Sequence, residues 1–208
     1  MVTTKTAPIS RRYNGNSAEE RKEVRRAKLL QAAISVYGAR GYRASTVQDV
    51  CDAAGLTKRY FYESYSDSGS LLADCFRSVV GELLEELALD APQGPVRPWE
   101  RARAILRGYF QALKDDPARA RLFLLEADGI SVEVVDVMRD AQRAVAELLV
   151  PTDPSKTPDV RASLQRLGAV AGAARISSIW IAGNYTPSLD EVVESALSLF
   201  GGLLQSSP

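Results

Sequence analysis

Histidine is absent from this 208-residue chain, and only two cysteines are present. Without histidine there is no Ser–His–Asp triad, no imidazole acid or base and no histidine-ligated metal. Cys51 and Cys75 form no CxxC pair and cannot supply the four ligands of a structural zinc. Two cysteines make no disulfide framework, which fits a reducing cytoplasm. We therefore predict no catalytic residues, no metal and no other cofactor.

Long hydrophobic runs and an excess of one charge are also missing. No apolar stretch approaches the roughly 20 residues of a membrane-spanning helix. Arg11 and Arg12 precede polar residues rather than the apolar core of a signal peptide. We therefore expect a cytoplasmic protein without a membrane partner. Hydrophobic residues make up 46% of the chain, which is enough to form a folded core.

The total charge is balanced, with 26 Lys and Arg against 26 Asp and Glu, but it is unevenly distributed. Residues 1–80 carry 13 basic and 8 acidic side chains, a net charge of +5, which leaves −5 for the remainder. This distribution favours an N-terminal part that faces nucleic acid on a neutral or acidic body. Chance segregation of charge among helix surfaces would give the same sum, so the signal is weak by itself.

Apolar residues recur at helical spacing along most of the chain, and no segment predicts a strand. A capping box beginning at Ser17 starts the first helix, and Gly41 ends it. Two short helices follow, capped at Ser45 or Thr46 and at Thr57. Six further helices are predicted to begin near residues 70, 98, 117, 131, 159 and 187. The sequence therefore predicts an all-α protein of nine helices.

The two short helices, joined through Gly55, have the helix-turn-helix pattern. The second must expose side chains near its N-terminus, because the DNA major groove admits one helix. Its exposed candidates are Lys58, Arg59, Tyr60, Tyr62 and Glu63. Phe61 and Tyr65 are expected to anchor it to the module. Arg59 can bond the O6 and N7 of guanine, whereas Tyr and Lys more often contact phosphate.

The stretch from Thr46 to Leu71 resembles the tetracycline-repressor (TetR) family. Matching positions are Thr46, Val50, Ala54, Gly55, Thr57, Tyr62 and Leu71, and the likeness covers about residues 18–75. The DNA-binding residues that follow from the pattern and the resemblance are Thr46, Thr57, Lys58, Arg59, Tyr60 and Tyr62. Three residues depart from the family: Cys51 replaces Ala, Arg59 replaces Gly, and Ser68 replaces a phosphate-binding Lys.

The resemblance implies a nine-helix TetR-like fold with a flexible basic arm (1–16), a helix-turn-helix DNA-binding domain (17–66) and a helical ligand-binding and dimerisation domain (67–208). It also implies a homodimer joined through its last two helices, with recognition helices in successive major grooves of a double-stranded DNA operator. An unidentified small-molecule effector would change the separation of these helices and release the DNA.

A mostly apolar cavity in the body would suit a lipophilic or aromatic effector. Candidate lining residues are Trp99, Tyr109, Phe110, Phe123, Glu126, Met138, Arg175, Trp180 and Tyr185. The aromatics fit ordinary core positions better than cavity positions. Glu126 and Arg175 lie in apolar runs, where an ion pair is the simpler interpretation. Cys51 and Cys75 fit small buried hydrophobes better than a redox switch.

Three functions are open at this point. The first is a ligand-responsive transcriptional regulator, most simply a repressor. The second is a DNA-bound nucleoid or division regulator on the same scaffold, without an inducer. The third is a helical enzyme, which the lack of histidine, metal-binding clusters and phosphate-binding glycine loops disfavours.

Overall fold

The computed structural model describes residues 17–125, 132–152, 155 and 159–205. Within them the chain forms ten α-helices and no strand, which confirms the all-α class. The helices are α1 (Ala18–Arg40), α2 (Val47–Ala54), α3 (Lys58–Ser64), α4 (Ser68–Asp90), α5 (Pro98–Asp115), α6 (Pro117–Leu125), α7 (Val132–Leu149), α8 (Val160–Ala182), α9 (Leu189–Ser198) and α10 (Gly201–Gln205). One turn of 3-10 helix, Tyr42–Ala44, lies between α1 and α2.

Local signals set the boundaries of the N-terminal helices as predicted. Ser17 starts α1 through a capping box with Glu20. Thr46 starts α2 through a second capping box with Asp49. Gly55 ends α2 in the left-handed conformation, with φ 64°, which costs glycine little because it has no Cβ. The arm predicted for residues 1–16 lies outside the described residues.

The ninth helix, predicted to begin near residue 187, is divided into two short helices. A capping box between Ser188 and Glu191 begins α9 just after Pro187. The chain turns at Leu199, and α10 begins at Gly201. The interruption lies at Leu199 and Phe200, next to Gly201 and Gly202, which favour a helix only weakly.

The helix α1 joins the N-terminal module to the rest of the chain. It packs against α2 and α3 of that module and also against α4 and α6. Its buried residues include Leu29, Ala33 and Tyr37. Gly38 lets α1 approach α6 closely, because a Cβ at this position would lie 2.7 Å from the carbonyl oxygen of Ala118. A domain boundary at residue 66 stays a prediction.

The remaining helices pack around an aromatic cluster. Helix α5 lies against α9, and α7 lies against α4 and α8. Trp180 of α8 makes edge contacts with Phe110 and Tyr185, at ring-centroid distances of 5.5 and 5.0 Å. Its indole nitrogen donates a hydrogen bond to the carbonyl oxygen of Pro187, at 2.7 Å. The cluster fixes the segment that links α8 to α9.

Among the described residues, no helix combines the length and the apolar character that crossing a membrane requires. The same residues contain no group of acidic or cysteine side chains placed to hold a metal ion.

Candidate nucleic-acid interface

Two buried aromatic side chains anchor helix α3 to the N-terminal module. Phe61 is fully buried and Tyr65 nearly so, with their ring centroids 5.9 Å apart. The predicted anchors are therefore confirmed. Because both point inward, the opposite side of α3 is left to solvent, where a duplex groove could receive it.

The exposed side of α3 carries most of the predicted contact residues. Lys58 and Tyr62 are exposed, and the Arg59 side chain is 85% exposed. Tyr60 is less exposed than the pattern indicates, because the Arg25 guanidinium of α1 lies 4.5 Å from the centre of its ring. This cation–π contact ties the start of α3 to α1.

Glu63 lies between two arginines at the same interface. The Nε of Arg59 donates a hydrogen bond to Glu63 Oε1, at 3.1 Å. The other carboxylate oxygen, Oε2, is 3.5 Å from Nη2 of Arg25. Sequence reasoning placed Glu63 among the exposed residues but missed Arg25, since nothing local indicates which residue of α1 faces α3.

The two predicted threonines differ in what their hydroxyls do. The Thr46 hydroxyl donates to Asp49 Oδ2, at 2.6 Å, and accepts from the Asp49 backbone N–H. The hydrogen bonds that the Thr46 hydroxyl and the Thr46 backbone N–H donate to the Asp49 carboxylate lower the pKa of Asp49, so this carboxylate stays ionised. Thr57 occupies the N-cap position of α3, but its hydroxyl makes no capping bond, contrary to the predicted cap. Its exposed hydroxyl is therefore available to a phosphate oxygen.

The start of α4 is a poor phosphate site. Asp67 caps it by accepting a hydrogen bond from the Ser70 backbone N–H, at 2.7 Å. That bond lowers the pKa of Asp67, which places a negative charge at the helix start. Ser68, which replaces the basic residue of the family pattern, shares a hydrogen bond with Tyr42. Phosphate contacts are therefore expected from α2 and α3 rather than from α4.

The residues predicted to line a cavity occupy several kinds of position in the structure. Tyr109, Phe110 and Trp180 are core residues. Met138 is half-buried against the core, and Tyr185 donates to the Leu113 carbonyl oxygen. Trp99 is 36% exposed beneath Arg103, and Arg175 is exposed in the single chain, so their place in a cavity stays a prediction. The Phe123 side chain and all of Glu126 lie outside the described residues.

A cavity of about 380 Å³ opens instead between α4, α5 and α6. Its inner walls are apolar and come mainly from Val79, Leu83, Leu87, Ala112, Leu113 and Ala120. Its rim carries four acidic residues, Glu86, Asp90, Asp115 and Asp116. Arg119 also lies at the rim, but its guanidinium is paired with Glu82 and Asp116. The sequence could not place this cavity, because it depends on how three separate helices meet.

An apolar stripe runs along the exposed side of α8. Val160, Leu164 and Ile179 are exposed on it at helical spacing, with Ala171 and the charged Arg175 between them. Leu199, beyond α9, is also exposed and approaches α8 where Gly172 leaves room. Exposed apolar side chains that share one helix face are typical of association surfaces.

Both cysteines are buried, and both are free thiols. Burial raises the pKa of Cys75 to about 12 and also raises that of Cys51. A buried thiol with a raised pKa is a poor nucleophile, so the arrangement favours the interpretation as small hydrophobes.

Comparisons with known proteins agree with the helical architecture. The curated transcriptional repressor KstR2 of Mycobacterium tuberculosis is 25% identical over 107 residues, 51% of this chain and 53% of that protein. The matched part thus spans about half the length of this relative. The transcriptional activator FasR of Mycolicibacterium smegmatis is 26% identical over 90% of this chain and 86% of FasR.

The solved structure of the regulator FadR from Bacillus subtilis, in complex with stearoyl-CoA, has the same fold, with a TM-score of 0.66. It is 18% identical and covers 83% of this chain and 96% of FadR.

Residues 29–75 match the family described as bacterial regulatory proteins, tetR family. The matched segment runs from α1 through α2 and α3 into α4, and so contains the whole helix-turn-helix. The helix-turn-helix segment therefore matches the TetR family, and 83% of the chain shares the fold of the solved regulator FadR.

Proposed function

We propose that the protein is a DNA-binding transcriptional regulator, in the simplest case a repressor, and not an enzyme. The observation that carries the proposal is the exposed N-terminal half of α3, with Lys58 and Arg59 facing solvent while Phe61 and Tyr65 hold the helix to the module. The net positive charge of residues 1–80 supports it, since DNA binding neutralises phosphates. The names of its relatives include both a repressor and an activator.

We further propose that the regulator is a homodimer joined through α8 and the segment after it. The apolar stripe of α8 and the exposed Leu199 support this surface. Two-fold symmetry would then give a near-palindromic operator, because each recognition helix reads one half-site.

The test of the proposal is selection of bound duplexes from fragmented genomic DNA by the purified protein. The expected result is enrichment of one near-palindromic site whose affinity falls steeply with salt, as several phosphates are neutralised. Recovery of unrelated fragments, with the same affinity for all of them at low salt, would contradict it.

Replacing Arg59 by Ala is expected to lower the discrimination between the selected operator and a scrambled duplex by about 1–3 kcal/mol. The reason is that its exposed guanidinium is the side chain of α3 best able to form a forked pair with guanine. Fluorescence anisotropy on labelled duplexes measures the effect. Arg139→Ala is the matched control, because Arg139 is also exposed and paired within its own helix, to Asp136 of α7. Unchanged discrimination by Arg59→Ala would exclude Arg59 as a base-reading residue.

We propose that the effector is a lipophilic molecule that binds the cavity between α4, α5 and α6 and releases the DNA. The apolar walls favour a hydrophobic body, and the acidic rim disfavours an anionic head group. FadR, by contrast, is described in complex with stearoyl-CoA, an anion. We therefore propose a neutral or cationic effector for this protein.

Two ions of nearly the same size and opposite charge test this preference. Tetraphenylphosphonium is expected to raise the thermal unfolding midpoint and to weaken operator binding, whereas tetraphenylborate is expected to do neither. The difference between the effects of the two ions should become smaller when two of the rim charges are removed, as in the double variant Glu86→Gln with Asp90→Asn. Equal effects of the two ions, or a stronger effect of the anion, would contradict a cation-favouring cavity.

A further inference from the structure

We propose that Glu63 is a positioning residue for DNA recognition: it orients the Arg59 guanidinium and thereby determines which base Arg59 selects. The inference rests on the proposed function, because it assigns a role within the same DNA-reading helix. The helix-turn-helix pattern indicates only that Glu63 is exposed, and the likeness to other proteins assigns it no role.

The contact between the two side chains leaves the useful part of the guanidinium free. Glu63 Oε1 accepts from Nε of Arg59, at 3.1 Å, one helical turn away. The two Nη groups of Arg59 have no partner among the described residues, and the side chain is 85% exposed. Bonding to the O6 and N7 of guanine uses two parallel N–H donors. A guanidinium held at Nε therefore offers its Nη pair in a restricted orientation.

The carboxylate is itself held from the neighbouring helix. Glu63 Oε2 lies 3.5 Å from Nη2 of Arg25, and the Arg25 guanidinium covers the Tyr60 ring at 4.5 Å. Arg25 is mostly buried, whereas Arg59 is mostly exposed. Through Glu63 and Arg25, the Arg59 guanidinium is therefore held by the longer helix α1 as well as by its own short helix.

The ion pair of Glu63 with the mostly buried Arg25 links α3 to α1, but its pair with the exposed Arg59 is not explained by stability. Exposed ion pairs within a helix contribute little to folding. An acidic side chain beside DNA phosphates also weakens binding through repulsion. The Glu63 carboxylate therefore lowers the affinity for any duplex, and it restricts the orientation in which Arg59 contacts the bases. A residue that serves base discrimination is expected to have both effects.

The experiment compares wild-type protein, Glu63→Ala and Glu63→Gln on the selected operator, on single-base variants of it and on a scrambled duplex. Glu63→Ala is expected to lose about tenfold in discrimination at the base that Arg59 reads. Its affinity for the scrambled duplex should stay equal or rise, because a repulsive charge is gone. Glu63→Gln should keep most of the discrimination, since the amide oxygen still accepts from Nε.

A double-mutant cycle separates positioning from an independent effect. In the Arg59→Ala background, Glu63→Ala is expected to cause no further loss of discrimination, because the group that it orients is absent. Glu23→Ala is the charge control: it removes an exposed carboxylate from α1 of the same module and should leave base preference unchanged. Circular dichroism checks folding, and Glu63→Met replaces Glu63→Ala if the alanine variant does not fold.

The outcomes are distinct. Additive losses in the cycle, or full discrimination by Glu63→Ala, would overturn the role of Glu63 while leaving DNA binding intact. Failure of the wild-type protein to select any site would instead overturn the proposed function.

Discussion

Replacing Ile179 by Glu is expected to produce a folded monomer that binds the operator at least about a hundredfold more weakly than the wild type. Ile179 lies on the apolar stripe of α8 and is 59% exposed in the single chain. In a symmetric dimer both subunits carry the substitution, so two carboxylates meet at one interface, where they repel each other and lose hydration. A monomer holds only one half-site, so the gain from simultaneous binding of the second is lost.

Analytical ultracentrifugation measures the oligomeric state, and anisotropy titration measures the operator affinity. Leu89→Glu is the matched control, because Leu89 is an even more exposed apolar residue that lies on α4, away from the stripe. This control is expected to remain dimeric and to bind the operator normally. A dimeric Ile179→Glu variant with wild-type affinity would show that the subunits meet through another surface.

Replacing Gly38 by Ala is expected to lower the free energy of unfolding by about 1–3 kcal/mol. The added Cβ would lie 2.7 Å from the carbonyl oxygen of Ala118 and 3.1 Å from its Cβ, so α1 and α6 would have to move apart. The clash involves backbone, which cannot turn aside as a flexible side chain can. Because α1 carries the contacts to α2 and α3, operator affinity is also expected to fall.

The same substitution at Gly81 is the matched control. Gly81 lies within α4, and a Cβ there meets no described atom within 4 Å. Gly81→Ala is expected to raise stability by roughly 0.5–1 kcal/mol, since alanine favours a helix over glycine. Urea unfolding followed by circular dichroism compares the two variants. Equal effects of the two substitutions would contradict close packing of α1 against α6.

The N-terminal module could be predicted from the sequence because its signals are local. The capping box at Ser17 and the turn at Gly55 act within a few residues, and the structure has both where the pattern placed them. For α2 the pattern left Ser45 and Thr46 open as caps, and the structure has Thr46. The anchors Phe61 and Tyr65 follow from spacing within one helix. Such features depend little on the rest of the fold.

The features that sequence reasoning missed depend on contacts between distant segments. Trp99 and Arg175 lie on helices with apolar neighbours, yet helix packing turns both side chains toward solvent. The cavity is formed where α4, α5 and α6 meet, and no single helix indicates it. In the same way, Arg25 reaches Glu63 from 38 positions away along the chain. Periodicity predicts which residues share a helix face, but not what that face contacts.

Hydroxyl-radical footprinting of the dimer on its selected duplex tests the proposed mode of DNA binding most directly. Two recognition helices in successive major grooves should protect two symmetric patches with centres about 34–36 Å apart, roughly one turn of DNA. Arg59→Ala should weaken both patches equally. A single protected patch, or uniform protection without a centre of symmetry, would contradict a dimer that reads two half-sites through α3.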